Sequence, residues 1–474
     1  MALRDRLPRH LFTTRGWGLI TAGIVSLLCA QVMGRRDLLA LGVFLVVVPL
    51  ISLAGIRLVK PRFRVYREFS PSTVETDSVT TVRLAVARTG PGTGRVTMEE
   101  RLPSRFGESP AFHFPARSAS GGTSRYEYRL RSGRRGQFTI GPVTAEFTDP
   151  FGLSLHRHTI DDGDTLTVTP AAVELPATGL AGARGNDGIT ATRIRANPSD
   201  DDVMTREYRH GDPMRRVHWP ATARHGALMV RQEESVTTPE ATVILDHRFA
   251  AHSSGFGPVF SGAGDDGGHL VTSDTFEWAV TAAMSVSAHL SERNYALRFL
   301  DAAGEPGFHR SPSAPEPDSE EYKGAAGLQS IAESLAAIQL TGQHHLRREH
   351  DTARREHQAA GESGQAVFDD LLMDKLAAHR MRGPVLALLG KISVAEARAL
   401  APAAGYAANA FAMVMTDRTS ESAEVLEALR QGGWRAVSVD AATSLPAAWT
   451  YFDEGDATVA AAAADVRRGA EVAR

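Results

Sequence analysis

Residues 205–234 read TREYRHGDPMRRVHWPATARHGALMVRQEE, and they separate two stretches of chain with different hydrophobic rhythm. The segment follows neither rhythm. Gly211-Asp212-Pro213 is a turn signal, because glycine permits positive φ, aspartate bonds back to the chain and proline fixes φ. Around that turn stand Glu207, Tyr208, Arg209, Arg215, Arg216, His218, Trp219 and Arg224. Forked guanidiniums, carboxylates and amphipathic aromatics in so short a span suit two tasks. One is an ionic network of Glu207, Arg209, Asp212, Arg215 and Arg224, with Tyr208, His218 and Trp219 packed against it, that clamps two domains together. The other is an exposed surface that recognises a carboxylate, a phosphate or a partner.

After this segment the pattern alternates between short apolar runs and helical spacing. Strands are expected at 242–245, 295–300, 385–389, 411–415 and 436–439. Helices are expected at 276–290, 328–340, 394–400 and 423–430. The first opens on Asp274 and Glu277 as a capping box, and the last is stopped by Gly432-Gly433. This is an α/β pattern with an open, mostly parallel sheet. Two inserts interrupt it. Residues 250–273 are rich in Gly and Ser and read as a mobile loop, and residues 342–364 carry His344, His345, His350 and His357 among Arg and Glu. With no Cys and no His-x-x-x-His pair, the second insert reads as a solvated charged helix rather than a zinc site.

Before the segment, residues 62–170 change texture. Alternating runs at 79–86, 95–99, 124–130, 137–140 and 166–169, separated by Gly- and Pro-rich turns, predict a β-sandwich. Residues 171–199 have little periodicity and many glycines, and Asp200-Asp201-Asp202 precedes the segment as a solvated or arginine-paired run.

The first 60 residues hold two apolar runs, 16–33 and 38–58, each near the ~20 residues that cross a bilayer as a helix. Only Gly34-Arg35-Arg36-Asp37 lies between them, so a tight hairpin is expected. Arg4, Arg6, Arg9 and Arg15 precede the first run, and Arg57, Lys60, Arg62, Arg64 and Arg67 flank the end of the second. Basic residues at both outer flanks place both termini in the cytoplasm. The single cysteine, Cys29, excludes an intramolecular disulfide, and a net charge of −3 argues against a protein that holds nucleic acid on a basic surface. The expected organisation is therefore a transmembrane hairpin over 1–60, a β-sandwich over 61–170, a linker with the signature loop over 171–240, an α/β domain over 241–455 and a disordered tail over 456–474.

Glu207-Tyr208-Arg209, Gly211-Asp212, Arg215, Val217-His218-Trp219 and Thr222-Ala223-Arg224, followed by Leu228 and Glu233-Glu234, resemble the signature of the bacterial domain of unknown function 58 family. Arg134-Arg135-Gly136 and Asp149-Pro150-Phe151-Gly152-Leu153 resemble further parts of it, the latter read as a turn closing the sandwich. The family has no established activity. The resemblance implies a membrane-anchored protein, a von Willebrand A-like domain after the signature, and a working link to MoxR-type AAA+ ATPases.

Asp246, Asp301 and Asp417 fall at the carboxyl ends of expected strands, where open α/β sheets bind ligands. Metal-binding von Willebrand A domains carry Asp-x-Ser-x-Ser at the first of these places. This chain has Asp246-His247-Arg248-Phe249-Ala250, without either serine. A hard cation needs several oxygen ligands, so no metal or other cofactor is expected. Arg248, paired with Asp246 or Asp417, would take the ion's place. No Gly-x-Ser-x-Gly elbow, His-Glu-x-x-His pair or phosphate loop is present. The expected function is a non-enzymatic adaptor or assembly factor at the inner face of the membrane. The alternative is an envelope-related hydrolase in which His218, Asp212 and Glu207 do acid–base work.

Overall fold

Two apolar helices, α1 (Thr14–Met33) and α2 (Arg36–Leu58), begin the described chain. The computed structural model describes residues 11–58, 62–89, 96–114, 123–149, 151–176, 205–208, 214, 217–231, 239–252, 270–342, 367–378, 383–416 and 422–452. Gly34, at φ 70°, ends α1 in the left-handed conformation that costs glycine nothing. The helices then run antiparallel. A Cβ on Gly42 would stand 3.0 Å from the Gly23 carbonyl and 2.7 Å from Leu27, so the two glycines let the backbones close. Ser26 donates to the Leu38 carbonyl across the pair at 2.8 Å. Both helices are long and apolar enough to cross a membrane, and only 17% and 11% of their apolar windows are buried. A core helix would be largely buried, so these two are candidates for lipid contact.

Ten strands follow: β1 (Phe63–Ser70), β2 (Thr73–Glu75), β3 (Val79–Arg88), β4 (Val96–Glu100), β5 (Ala111–Phe114), β6 (Thr123–Arg131), β7 (Gly136–Ile140), β8 (Val143–Thr148), β9 (Leu155–Thr159) and β10 (Asp164–Thr169). They form sheets ordered β1-β3-β6, β2-β10-β7 and β5-β4-β8-β9. Alternation on β3 turns Thr80, Val82, Leu84 and Val86 inward. Leu84 and Val86 pack with Val96, Met98, Val143 and Ala145, while Val82 packs with Phe138, Ile140, Leu166 and Val168. One three-stranded sheet of long strands thus covers two sheets of shorter strands. Between the sheets lies an arginine that hydrophobic periodicity does not reveal. The Arg67 side chain is fully buried and meets Glu100 at 2.5 Å, Asp161 at 3.0 Å and Asp164 at 2.6 Å. Tyr128 donates its hydroxyl to the other Glu100 oxygen at 2.5 Å, so the buried charges are paired and hydrogen-bonded.

The signature segment contributes β11 (Thr205–Glu207), α3 (Trp219–His225) and β12 (Met229–Arg231). The α/β region then runs β13 (Glu240–Leu245), α4 (Phe249–His252), α5 (Asp274–Ser291), β14 (Ala296–Asp301), β15 (Glu321–Tyr322), α6 (Gly324–Ala336), α7 (Asp370–Ala377), β16 (Pro384–Leu389), α8 (Val394–Leu400), β17 (Asn409–Met415), α9 (Ala423–Gln431) and β18 (Arg435–Val439). Its six-stranded sheet has the order β15-β14-β13-β16-β17-β18. Every pairing is parallel except that of the edge strand β15. α5 and α6 share one core cluster with the sheet, and α7, α8 and α9 share another. Strands covered on both faces must be apolar throughout, as Val385–Leu389 and Ala410–Met415 are.

Two local expectations change. Ser273, not Asp274, caps α5 by accepting the Phe276 N–H, because the Glu277 carboxylate is drawn to Thr272 and Arg135 instead of back to the cap. The helix expected over 328–340 ends at Ala336, four residues early, because the chain leaves the helix to run along its neighbours. There, carbonyls of Leu335, Ala336 and Ile338 accept from one arginine, Arg135, at 2.8, 3.3 and 2.7 Å. That guanidinium, reaching from the β region, also grips Glu277 in a fork at 2.9 and 2.8 Å. The segment expected as a mobile loop includes α4, with residues 253–269 outside the described residues. Asp200-Asp201-Asp202, the histidines at 344, 345, 350 and 357, Asp417 and the tail 456–474 also lie outside them.

Candidate functional site

The described parts of the signature fold as a small unit of their own. β11 pairs antiparallel with β12, matching Thr205 to Arg231 and Glu207 to Met229. Tyr208 N–H donates to the Leu228 carbonyl and His218 N–H to the Met229 carbonyl, both at 2.8 Å. Val217, Met229 and Val230 are buried. α3 starts because His218 is its N-cap, with Nδ1 accepting the Ala221 N–H at 3.2 Å. Pro220 suits the first turn, where no N–H is needed. Gly226, at φ 70°, closes the helix, and Thr222 Oγ1 accepts from Met229 N–H to tie it to β12.

Sequence reasoning packs His218 and Trp219 against an ionic network. The structure gives His218 a structural hydrogen bond and turns Trp219 outward, 63% exposed. Met214 and Leu228 are exposed as well, and so are Glu207 and Arg224, while Tyr208 is half-buried. Trp219 faces out because it is the first helical residue after a cap that already fixes the turn, and the small core beneath is filled by Val217 and Val230. Arg209, Gly211, Asp212 and Arg215 lie outside the described residues.

The second place of interest is the carboxyl end of β13. Asp246 is fully buried, and Arg248 wraps back on it. The guanidinium donates from Nε to Oδ1 at 2.9 Å and from Nη2 to Oδ2 at 2.8 Å, and the Arg248 backbone N–H reaches Oδ1 at 3.1 Å. Nη1 donates to Glu396 at 2.6 Å, and the guanidinium lies 5.6 Å from the Phe368 ring centroid. Burial opposes ionisation of Asp246, but the hydrogen bonds and charge of Arg248 outweigh it and hold the carboxyl below its usual range. The same partners hold the Arg248 guanidinium above its usual range against its own burial. Behind the loop, His252 Nε2 bonds the Asp246 carbonyl at 2.8 Å, and burial pushes that imidazole down. Of the two partners expected for Arg248, Asp246 is the one it meets, and Asp417 lies outside the described residues. Glu396 and His252 were not visible in the sequence. Ser393-x-x-Glu396 does read as a capping box, and it forms, yet nothing in a linear pattern joins it to a residue 148 positions away.

Next to this loop, His247, Asp301, Glu305, His309 and Arg310 line a cavity of about 190 Å³. Asp301 Oδ1 accepts the N–H groups of Ala303 and Glu305, both at 2.9 Å, and so spends one oxygen on its own turn. His309 Nδ1 pairs with Asp318 at 2.9 Å. Among the described residues no group of three or more His, Cys, Asp or Glu side chains stands so as to hold a metal ion.

Residues 204–258, which hold the signature segment and the Asp246–Arg248 turn, match the family described as "Protein of unknown function DUF58". No curated protein matches the chain. Among solved structures, the alkylpurine DNA glycosylase AlkC of Pseudomonas fluorescens, bound to DNA containing an abasic site analog, is 8% identical over 28% of this chain and 38% of its own, with a TM-score of 0.14. Cwp6 from Clostridium difficile is 10% identical over 79% of this chain and 53% of its own, with a TM-score of 0.10. Likenesses this slight carry no argument about fold or function. The signature residues and the family match agree on one point: residues 204–258 of this chain carry a DUF58 segment.

Proposed function

We propose that this protein is a non-enzymatic adaptor, anchored in the cell membrane by the α1–α2 hairpin, whose signature segment docks a MoxR-type AAA+ ATPase on the cytoplasmic side. The exposure of Trp219 carries this reading. A large aromatic 63% exposed, on a short helix that also carries the exposed Arg224, has the composition of an interface anchor. The use of His218 Nδ1 as a helix cap weighs against a hydrolase that would need this imidazole as a free base. The basic residues at both outer flanks of the hairpin support two spans with both termini inside. A von Willebrand A-like assignment of the α/β region is supported by the sheet order with its antiparallel edge strand, and a sandwich assignment of the β region by the cores shared between its sheets. In this reading Arg248 occupies the charge position of the cation in metal-binding relatives of that fold, so docking proceeds without a metal.

The test uses the full-length protein in detergent, immobilised and exposed to a purified MoxR-type ATPase. Wild type should retain the ATPase. Trp219→Ala should weaken retention about thirtyfold or more, since a truncated aromatic anchor costs about 2 kcal/mol or more. The thermal midpoint should stay put, because the side chain is exposed. Equal retention by both proteins, or by neither, would refute the assignment.

A further inference from the structure

The turn between β8 and β9 is where the hairpin meets the β region. Leu153 O accepts the Thr13 N–H at 3.0 Å, Leu11 O accepts the Leu155 N–H at 3.1 Å, and Thr13 Oγ1 donates to the Gly152 carbonyl at 2.6 Å. A Cβ on Gly16 would stand 2.1 Å from the Leu153 carbonyl oxygen, so only glycine admits this approach. On the other helix Ser52 Oγ lies 3.1 Å from Ser154 Oγ. At ~1.5 Å rise per residue, Gly16 lies about 3 Å inside the start of α1 and Ser52 about 9 Å inside the end of α2. The turn therefore stands level with the ends of both candidate spans.

Its chemistry suits that level. The buried Asp149 carboxylate accepts the N–H groups of Phe151 at 3.1 Å, Leu153 at 2.6 Å and Ser154 at 2.7 Å. The Gly152 N–H goes to the Asp149 carbonyl at 2.9 Å. Burial opposes ionisation of Asp149, but the Ser52 hydroxyl and these backbone donors outweigh it. The N–H groups of residues 151–154 are thus satisfied without water, the condition for entering a poorly hydrated layer. Among the described residues of the turn, the side chain left outside is Phe151, 72% exposed. Trp17 is 54% exposed on the adjoining first turn of α1 and meets Phe12 edge to face at 5.6 Å. Arg15 Nη1 lies 4.0 Å from where a Gly152 Cβ would stand, within reach of a headgroup phosphate.

We infer that the β8–β9 turn is a third membrane contact, with Phe151 seated at the headgroup–acyl boundary of a phospholipid bilayer beside Trp17. Aromatics with Arg nearby are the usual residents of that layer. Phe151 and the two helices then form three points of attachment, which fix the distance and tilt of the β region over the membrane. The inference rests on the hairpin spanning the bilayer, and the experiment separates the two claims.

Full-length Cys29→Ala protein would carry a single cysteine from Phe151→Cys, Ile24→Cys or Val79→Cys, each labelled with an environment-sensitive fluorophore. Ile24 reports the hairpin. Val79 is exposed at the opposite end of the β region, near the Arg135 contact with the α/β region. The proteins would be reconstituted in phosphatidylcholine–phosphatidylglycerol vesicles with and without lipids spin-labelled high on the acyl chain. The labels at 151 and 24 should be quenched several-fold more than the label at 79, and aqueous iodide should give the reverse order. If 24 is quenched while 151 behaves like 79, the turn faces water and this inference fails while the hairpin stands. If 24 also behaves like 79, the spanning helices and the inference fall together.

Discussion

Asp246 and Arg248 show how a single side chain changes what a loop can hold. A buried carboxylate at the carboxyl end of a central strand needs a positive partner, and Arg248 supplies three of its hydrogen bonds. Removing that partner leaves an unpaired buried charge. Arg248→Ala should destabilise the protein by about 3–5 kcal/mol. Asp246→Ala should cost less, since Arg248 is partly exposed and keeps Glu396, and the double variant should cost less than the sum. The pH dependence has a definite sign. The folded carboxyl lies below its unfolded value of about 3.9, so its contribution is complete above that value and is lost as pH falls through the folded one. The gap in thermal midpoint between wild type and Arg248→Ala should narrow as pH falls, first as the variant's unpaired buried carboxyl takes up a proton, and further below about pH 4 as the wild-type pair is lost. Mg²⁺ should leave the wild-type midpoint unchanged, because the guanidinium already takes both Asp246 oxygens and a ligand raises the midpoint only by binding the native state.

At the scale of elements, the joint between the β and α/β regions is centred on one arginine, beside the Gln329–Thr73 and Val173–Ser285 hydrogen bonds. Arg135 follows the turn at Ser132-Gly133-Arg134 and enters the space between α5 and the end of α6. The last carbonyls of a helix lack intrahelical donors and carry partial negative charge, so a guanidinium there satisfies both needs. The same group holds Glu277 in a fork, which a lysine's point charge cannot reproduce. Arg135→Met should cost about 3 kcal/mol, near the low end for a buried pair because Glu277 is partly exposed. Arg135→Lys should fall between the two. Thermal unfolding of the full-length protein in detergent checks the ranking. A single wild-type transition that splits into two in Arg135→Met would show that the arginine couples the regions, and an unchanged profile would remove it from that role. Arg134-Arg135-Gly136 was legible as a family motif. Its work was not, because its partners lie 142 to 203 residues away.

For the whole molecule, the two apolar helices carry the proposed membrane topology. Reporter fusions after Arg4 and after Lys60 should both report cytoplasm, given the basic flanks on either side of the paired runs. A periplasmic signal from the second fusion would overturn the proposed orientation and the proposed ATPase partnership with it. Several features were fixed by the sequence alone, and each has a local cause. The two apolar runs, the sheet-forming runs at 242–245, 385–389 and 411–415, and the Gly432-Gly433 stop all appear as elements, because periodicity and turn chemistry act over a few residues. The lost serines after Asp246 were equally plain, but whether Arg248 would pair with Asp246 or Asp417 was not, and the fold gives it Asp246. Other features depend on which distant segments the chain brings together. Glu277 leaves its expected cap for Arg135, and Arg67 is buried among Glu100, Asp161 and Asp164. Trp219 faces outward because the core beneath it is already filled, and the β8–β9 turn sits against Gly16 and Ser52. A charged side chain satisfies itself with whatever partner the fold places within about 3 Å, and linear spacing carries no record of that partner.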